Sequence, residues 1–179
     1  MHRQGPAGKK GADGEAEATG SNPTDRGKSG TKRHLLTDGR GLPLAIVLTG
    51  AHRHDMKMLE ALLDGHVIAP PEEAPETGFH LCLDRGYAYQ VCREAAQKRG
   101  YTAHIPPKVS EATPLPPPGD PERHPARRWV VEVCHSWFNR FRRVLIRWEK
   151  RASLYMGFVQ LAASLIIYRK LRKLRELSG

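Results

Sequence analysis

The chain has 179 residues and carries 29 lysines and arginines against 19 aspartates and glutamates, a formal net charge of +10. This length is typical of one domain. The basic excess favours a polyanionic partner such as nucleic acid, although a surplus of solubilising charge gives the same composition. Three cysteines without CxxC spacing argue against a disulfide framework or a zinc site and indicate reduced thiols. No apolar segment typical of a signal peptide occurs at the N-terminus.

The first third of the chain predicts an arm, a hairpin and a helix. Residues 1–31 are rich in glycine, lysine and small polar residues, which predicts a flexible basic arm or loop. Two apolar runs, Lys32–Asp38 and Leu42–Thr49, flank an Asp-Gly pair and predict an antiparallel hairpin. His54–Leu63 has apolar residues at helical spacing, with Asp55 near the start, where an acidic group favours the helix dipole.

The middle of the chain predicts a β-α-β unit. Phe79–Leu83 is mostly apolar, which predicts a strand buried on both faces. Tyr89–Arg99 predicts a helix that ends at Gly100, and Tyr101–Ile105 predicts a second strand, parallel to the first. Prolines recur between residues 106 and 125 and predict an insertion without regular structure.

The last third of the chain predicts two helices. Arg127–Arg147 predicts one long helix whose apolar residues form a single stripe. Members of that stripe are Val130, Cys134, Trp137, Phe141, Val144 and Trp148. Ser153–Leu174 predicts a final helix. Its uncharged part, Ala152–Tyr168, is shorter than the roughly 20 apolar residues of a membrane span, so we expect a buried core helix, with a membrane span as the alternative.

Two carboxylates stand out as candidate site residues. Asp84 follows an apolar strand, and ligands gather at the carboxyl ends of strands in α/β sheets; a helix-capping aspartate is the alternative. Glu132 lies away from the apolar stripe of its helix, and an ordinary solvated pair with Arg128 is the alternative there. Carboxylates from two elements can hold Mg²⁺ or Mn²⁺. Paired ions of this kind activate water or a 3′-hydroxyl for phosphodiester displacement.

Basic side chains interleave with aromatic ones beyond Glu132. Arg140, Arg143 and Arg147 alternate with Trp137, Phe141 and Trp148, a pattern suited to tracking a phosphate backbone; solvated surface positions are the alternative for each. Five histidines stand near the motifs, show no metal-ligand spacing and are interpreted as structural or surface residues. They are His34, His52, His54, His104 and His135.

Four motifs in fixed order carry a family resemblance. They are NPTDRGK at residues 22–28, KRHLLTDGRGLPL at 32–44, DRGYAY at 84–89 and RRWVVEVCHSWFNRFRRVLIRWEK at 127–150. Together they resemble the DDE transposases of the insertion-sequence 4/5 group, over about residues 2–170. The resemblance implies metal-dependent cleavage and transfer of DNA strands, with Asp84 as the second catalytic aspartate and Glu132 as the catalytic glutamate.

The resemblance also implies a fold and marks departures from the family. The expected fold is α/β, a ribonuclease-H-like mixed sheet with flanking helices over residues 32–179. Arg128 matches the arginine of the family signature, whereas Pro125 stands in place of its tyrosine and Asn139-Arg140 in place of its lysine. The family's first aspartate ends a central strand expected upstream of Met1. We therefore expect an N-terminally truncated form with little activity alone; a non-enzymatic basic DNA-binding remnant is the alternative.

Partners and location are implied in the same way. The resemblance implies Mg²⁺ or Mn²⁺ at Asp84 and Glu132, transposon-end and target DNA, a homodimer on DNA, no membrane, and a bacterial cytoplasmic, nucleoid-associated location. The residues expected to contact DNA are Lys28, Lys32, Arg33, Arg85, Arg128, Arg140, Arg143, Arg147 and Lys150.

Overall fold

A computed structural model describes residues 18–23, 25–67, 78–106 and 127–178, and the side chains of 128, 177 and 178 are outside this description. Most of the proline-rich segment predicted at 106–125 and the first half of the predicted arm therefore lie outside the described residues. The described strands are β1 (Gly20–Ser21), β2 (Ser29–Thr37), β3 (Pro43–Gly50), β4 (Phe79–Cys82) and β5 (Tyr101–His104). The α-helices are α1 (Leu59–Asp64), α2 (Gln90–Gln97), α3 (Arg128–Phe138), α4 (Arg142–Leu145) and α5 (Ala152–Ser178), with 3₁₀ turns at Asp55–Met58 and Arg85–Tyr87.

The predicted hairpin is confirmed. Strands β2 and β3 pair antiparallel along nearly their whole length. The turn closes on Asp38, whose Oδ1 accepts hydrogen bonds from the backbone N–H groups of Arg40 (2.9 Å) and Leu42 (2.7 Å). Gly41 supplies the positive φ of 85° that this turn needs. In the described part of the predicted arm, the short β1 pairs antiparallel with the first residues of β2.

The predicted β-α-β unit is also confirmed, but its first strand is not buried on both faces. Strands β4 and β5 pair parallel, from Phe79 opposite Tyr101 to Cys82 opposite His104. Leu81 is buried, whereas His80 and Cys82 are exposed. The prediction of two buried faces was wrong because the side chains alternate: Leu81 and Leu83 pack into the core formed with α1 and α2, whereas His80 and Cys82 face solvent.

The β2–β3 hairpin lies between two hydrophobic cores. Alternate side chains of β2 point to opposite faces, so Leu36 joins the core formed with α1, α2, β4 and β5, and Leu35 joins the core formed with α3, α4 and α5. Phe138 and Val159 are fully buried at the centre of the second core. The chain is therefore α/β, as predicted, with helices on both faces of the hairpin.

The predicted single helix over Arg127–Arg147 is broken, and that prediction was wrong. Helix α3 ends at Phe138, Phe141 is extended, and α4 spans only Arg142–Leu145. The break buries Val144, whose carbonyl oxygen accepts hydrogen bonds from the Tyr155 hydroxyl (2.7 Å) and from Arg33 Nη1 (3.3 Å). These two tertiary donors satisfy a carbonyl at the end of the short helix, which allows the chain to leave the helical path.

The break also changes the apolar stripe predicted for this region. Val130 and Cys134 are buried as predicted, but the third buried residue of α3 is Phe138 and not Trp137, which is half-buried. Trp148 is 71% exposed.

Helix α5 is partly buried. Tyr155, Val159, Ala162, Ala163 and Ile166 pack into the second core. The segment Ala152–Glu176 is nevertheless long and apolar enough to cross a membrane, and only 28% of its most apolar 18-residue stretch is buried. The helix therefore has a covered face, as expected of a core helix, and a large apolar face that the described residues leave exposed.

Candidate functional site

Asp84 lies at the carboxyl end of the β4 strand and is exposed. The backbone N–H of Leu83 donates to the His104 carbonyl (3.0 Å), which continues the strand pairing to the residue before Asp84. Oδ1 of Asp84 accepts a hydrogen bond from the Gly86 N–H (2.8 Å) and caps the following 3₁₀ turn. A Cβ at position 86 would lie 2.9 Å from Oδ1, so a larger residue there would require the Asp84 side chain to shift. Asp84 is thus a cap held in a fixed position, with its carboxylate at the protein surface.

Glu132 lies near the middle of α3 and is exposed. The side chain of Arg128 lies outside the described residues, so the alternative of a pair between these two side chains stays open. One turn further along α3, the ring of His135 is half-buried and feels the negative charge of Glu132. Helix α3, which carries Glu132, packs against β2.

A third carboxylate, Asp55, lies in a cluster that the sequence did not reveal. Nζ of Lys32 lies 2.7 Å from Oδ2 of Asp55, and Nδ1 of His34 lies 2.9 Å from Oδ1. The second contact is close but is not a well-aligned hydrogen bond, because the ring N–H direction is poor. The other ring nitrogen of the buried His34 is 2.8 Å from Thr49 Oγ1. We call Lys32, His34 and Asp55 the Asp55 cluster.

The Asp55 cluster strongly stabilises its carboxylate. Contact with His34 is the largest cause that lowers the pKa of Asp55 from its ordinary 3.8 to about 2, and Lys32 contributes further, although partial burial opposes both. Asp55 is therefore ionised at neutral pH and is already engaged by a cation. Sequence analysis interpreted Asp55 only as a favourable charge at a helix start. The alternation of Lys32 and His34 on one face of β2 was the signal that could have revealed their common partner.

The charge of the Asp55 cluster reaches a neighbour of each candidate carboxylate. Burial raises the pKa of the Tyr87 hydroxyl far above its usual value, and the charges of Asp55 and Asp84 raise it further. Burial lowers the pKa of His135 to about 4, Arg33 and His34 lower it further, and the charges of Asp55 and Glu132 oppose this. Charges interact over roughly 10 Å at physiological salt. Tyr87, three residues after Asp84, and His135, three residues after Glu132, therefore both lie within electrostatic range of Asp55.

The donor chemistry fits a hard divalent cation, but the described carboxylates do not form a complete cage. Oxygen ligands from carboxylates are what Mg²⁺ and Mn²⁺ prefer, and Asp84 and Glu132 both present theirs at the surface. Within residues 18–67, 78–106 and 127–178, apart from Thr24, no group of three histidine, cysteine or acidic side chains converges closely enough to hold a metal ion. The rings of His80 and His104 contact each other, at 2.7 Å between Nδ1 and Nε2.

Three of the basic residues expected to contact DNA make contacts inside the protein. Lys32 pairs with Asp55 as described above. Arg33 donates to Asn139 Oδ1 (2.6 Å) and stacks over the Phe138 ring. Arg147 donates to Thr31 Oγ1 (2.6 Å) and to the carbonyls of residues 149 and 150. The contacts of Arg33 and Arg147 join the hairpin to the C-terminal part of the chain, and that of Lys32 joins it to the turn before α1, so all three residues have a structural role independent of DNA.

The other basic candidates differ in how open they are to solvent. Arg85, Arg140 and Lys150 are exposed. Lys28 is exposed and lies 3.5 Å from Asp25. Arg143 is exposed, donates to Glu149 Oε1 (3.0 Å) and lies over the Phe158 ring. Nothing is described of the Arg128 side chain. Their contact with DNA stays a prediction.

Comparison with known proteins assigns the chain to a family. A family model described as a transposase DDE domain matches residues 2–167. The putative transposase for insertion sequence element IS402 of Burkholderia cepacia is 37% identical over 164 residues, which cover 87% of this chain and 71% of that protein. The putative transposase for insertion sequence element IS6501 of Brucella ovis is 31% identical over 141 residues, which cover 76% of this chain and 96% of that protein. No solved structure matches. The chain therefore belongs to the transposase DDE domain family, whose members use divalent metal ions in DNA transposition.

Proposed function

We propose that Asp84 and Glu132 are catalytic carboxylates for metal-dependent cleavage and transfer of DNA strands, in a DDE transposase of the insertion-sequence 4/5 group. The observation that carries this proposal is that Tyr87 and His135, the respective neighbours of these carboxylates, both feel the charge of Asp55. Both acids are exposed and carried on regular elements or directly beside one, as rigid positioning of a reactive site requires. The proposed cation is Mg²⁺ or Mn²⁺, and the proposed setting is the bacterial cytoplasm.

Each residue has a role in this proposal. Asp84 and Glu132 would hold the metal through their carboxylate oxygens. A bound divalent cation supplies the positive charge that activates water or a 3′-hydroxyl for attack on a phosphodiester. Asp55 has a positioning role, because it holds the side chains of Lys32 and His34 in place. The exposed Arg85, Arg140 and Lys150 would neutralise backbone phosphates, while base sequence is read elsewhere.

A third carboxylate would complete the site. Asp55 is the nearby candidate among the described residues, but its oxygens already contact Lys32 and His34, so a metal would have to displace an ion pair. We propose that the third acid comes from outside the described residues, and that a strand carrying it joins β2 to β4 in a ribonuclease-H-like sheet. Among the described residues, β4 pairs only with β5, and β1 pairs only with the first two residues of β2, Ser29 and Gly30. The rest of the β2 edge opposite β3 and one edge of β4 are therefore open to a further strand among the described residues. Without that acid we expect little activity.

Binding of Mn²⁺ tests the site directly. We expect Mn²⁺ to broaden the NMR signals of residues around Asp84 and Glu132, and Asp84→Asn or Glu132→Gln to weaken Mn²⁺ binding by at least about tenfold. Asp64→Asn is the matched control, because Asp64 is an exposed acid paired with Arg99 and not part of the Asp55 cluster. Equal Mn²⁺ affinity in all four proteins would refute the proposed site.

DNA nicking tests the reaction. Supercoiled DNA that carries the element's ends should be cut slowly or not at all by the chain alone. Any Mn²⁺-dependent cutting should disappear in Asp84→Asn and Glu132→Gln and persist in Asp64→Asn. Cutting that survives both substitutions would show that the carboxylates named here do not catalyse it.

Metal-independent DNA binding is a second candidate function. It is favoured by the net charge of +10 and by the absence of a three-ligand metal cluster in the part of the chain that the structure describes. In that case DNA affinity should fall with rising salt and be unchanged in Asp84→Asn and Glu132→Gln. The same variants therefore separate the two functions.

A further inference from the structure

Two histidines that are 24 residues apart in the sequence lie side by side on the exposed face of the β4–β5 pair. Nδ1 of His80 and Nε2 of His104 are 2.7 Å apart, and the two rings are nearly parallel, with their centres 4.9 Å apart. The strand register brings them together. His80 lies opposite Thr102, so His104, two residues further along β5, projects from the same face.

We propose that His80 and His104 form a binding site for a borderline transition metal ion, Ni²⁺ or Cu²⁺, separate from the site proposed at Asp84 and Glu132. Imidazole nitrogen is a ligand that suits Ni²⁺ and Cu²⁺, whereas Mg²⁺ and Mn²⁺ prefer carboxylate oxygen. The two sites therefore differ in the ions they select, and each can be tested with an ion that the other binds poorly.

The separation of the two ring nitrogens fits one shared ion. An imidazole nitrogen lies about 2.0–2.1 Å from a bound metal such as zinc. Two such nitrogens at a right angle around one ion are about 2.9 Å apart, and at the tetrahedral angle they are about 3.4 Å apart. The observed 2.7 Å is closer to the right-angled arrangement, which is the geometry of square-planar Ni²⁺ and Cu²⁺.

The ion would take the place of a proton that the two rings share. At 2.7 Å, one ring nitrogen donates its N–H to the other. When a metal binds, both nitrogens offer lone pairs to it, and the donating ring carries its proton on its other nitrogen, so two neutral rings bind without releasing a proton. Both lone pairs then point at the ion after a rotation about χ2, a torsion with broad minima in histidine. His80 is exposed, so the ion can enter from solvent.

The two strands supply two protein ligands. Cys82 is exposed on the same face as His80 and lies opposite His104 in the strand register. In the described part of the chain, however, no three histidine, cysteine or acidic side chains converge closely enough to hold one ion, so water fills the other positions around it. We therefore expect a dissociation constant on the order of 10–100 µM, much weaker than that of a structural site with four protein ligands.

A bound ion would cross-link β4 to β5 directly before Asp84. The strand pairing continues to Leu83, whose backbone N–H donates to the His104 carbonyl (3.0 Å). An ion that binds the folded chain in preference to the unfolded chain stabilises the fold by mass action. At an ion concentration of about ten times the dissociation constant, the melting temperature of a chain of this size should rise by about 3–6 °C.

Isothermal titration calorimetry with Ni²⁺ tests the site, using the full chain without an affinity tag. We expect the affinity for Ni²⁺ to fall by at least about tenfold in His80→Asn and in His104→Asn. His52→Asn is the matched control, because it removes an exposed imidazole elsewhere, and Cys82→Ser is a second control on the same face. Both controls should bind Ni²⁺ as tightly as the wild type does. Circular dichroism verifies that each variant is folded.

The outcomes are distinguishable from those of the proposed catalytic site. Asp84→Asn should bind Ni²⁺ like the wild type, and His80→Asn should keep the Mn²⁺ broadening expected around Asp84 and Glu132. Equal Ni²⁺ affinity in the wild type, His80→Asn and His104→Asn would overturn the proposal. So would a loss of affinity in Cys82→Ser as large as that in His80→Asn, or a melting temperature that Ni²⁺ raises equally in the wild type and His80→Asn.

Discussion

Replacement of Asp55 by asparagine should destabilise the protein in a pH-dependent way. The folded state lowers the pKa of this carboxyl from 3.8 to about 2, and each pKa unit corresponds to about 1.4 kcal/mol. The full shift is thus worth on the order of 2 kcal/mol. Since 32% of the Asp55 side chain is exposed, solvent screening reduces the expected contribution to about 1 kcal/mol. Asparagine keeps the shape of the side chain but loses the charge that faces Lys32 and His34.

Urea unfolding at several pH values measures this contribution. A group whose folded pKa is depressed stabilises the protein above its unfolded pKa, and that stabilisation disappears as pH falls through the folded pKa. The difference in unfolding free energy between wild type and Asp55→Asn should therefore be complete above pH 4 and shrink between pH 4 and pH 2. Asp64→Asn, at an exposed carboxylate that pairs with Arg99, should show a smaller difference. An effect of Asp55→Asn that is the same at pH 2 and pH 7 would refute the electrostatic explanation.

The described contacts support four further predictions. Burial lowers the pKa of His135 from 6.5 to about 4, so as pH falls the imidazole is protonated in the unfolded chain before it is protonated in the folded chain. The free energy of unfolding should therefore fall as pH drops from 6.5 toward 4, and His135→Gln should remove that fall. A titration midpoint above pH 6 for the His135 ring, measured by NMR, would contradict this. Arg147→Ala should cost about 1–3 kcal/mol in urea unfolding because it removes the internal hydrogen bonds of a half-buried side chain. Exposed Arg140→Ala should instead leave stability unchanged and lower the salt dependence of DNA binding by about one counterion. Gly41→Ala should cost about 1–2 kcal/mol by the same unfolding assay, since φ is 85° and the new Cβ would lie 3.3 Å from the Trp137 ring.

Elements with short-range signals were predicted well from the sequence. The Asp38-Gly39 pair between two apolar runs determines the hairpin, and the strand, helix and strand from Phe79 to His104 form the expected parallel pair. Both depend on interactions between residues close in the chain: a side chain that caps a turn, or an apolar run with a glycine at its end. The same short-range patterns predicted that Asp84 follows a strand and that Glu132 lies on an exposed helix face.

The break between α3 and α4 could not be predicted from helical spacing. The apolar stripe continues through residues 137–148, so the local pattern favours one helix. What ends it is a tertiary arrangement in which Arg33 and Tyr155 reach the carbonyl of Val144. Arg33 is separated from that carbonyl by 111 residues, and no local pattern records such a partner.

The sequence by itself determined most of the secondary-structure elements, the basic character of the chain, its family and the two candidate carboxylates, because each follows from a local pattern or from the order of the motifs. Only the tertiary structure decided that Asp55, 23 residues from Lys32, pairs with Lys32 and His34 in one charged cluster. It also decided which arginines make contacts within the fold and which face solvent, and that the described residues leave the outer face of α5 exposed. These properties depend on which faces of distant elements meet, and burial and electrostatic fields arise only once they do.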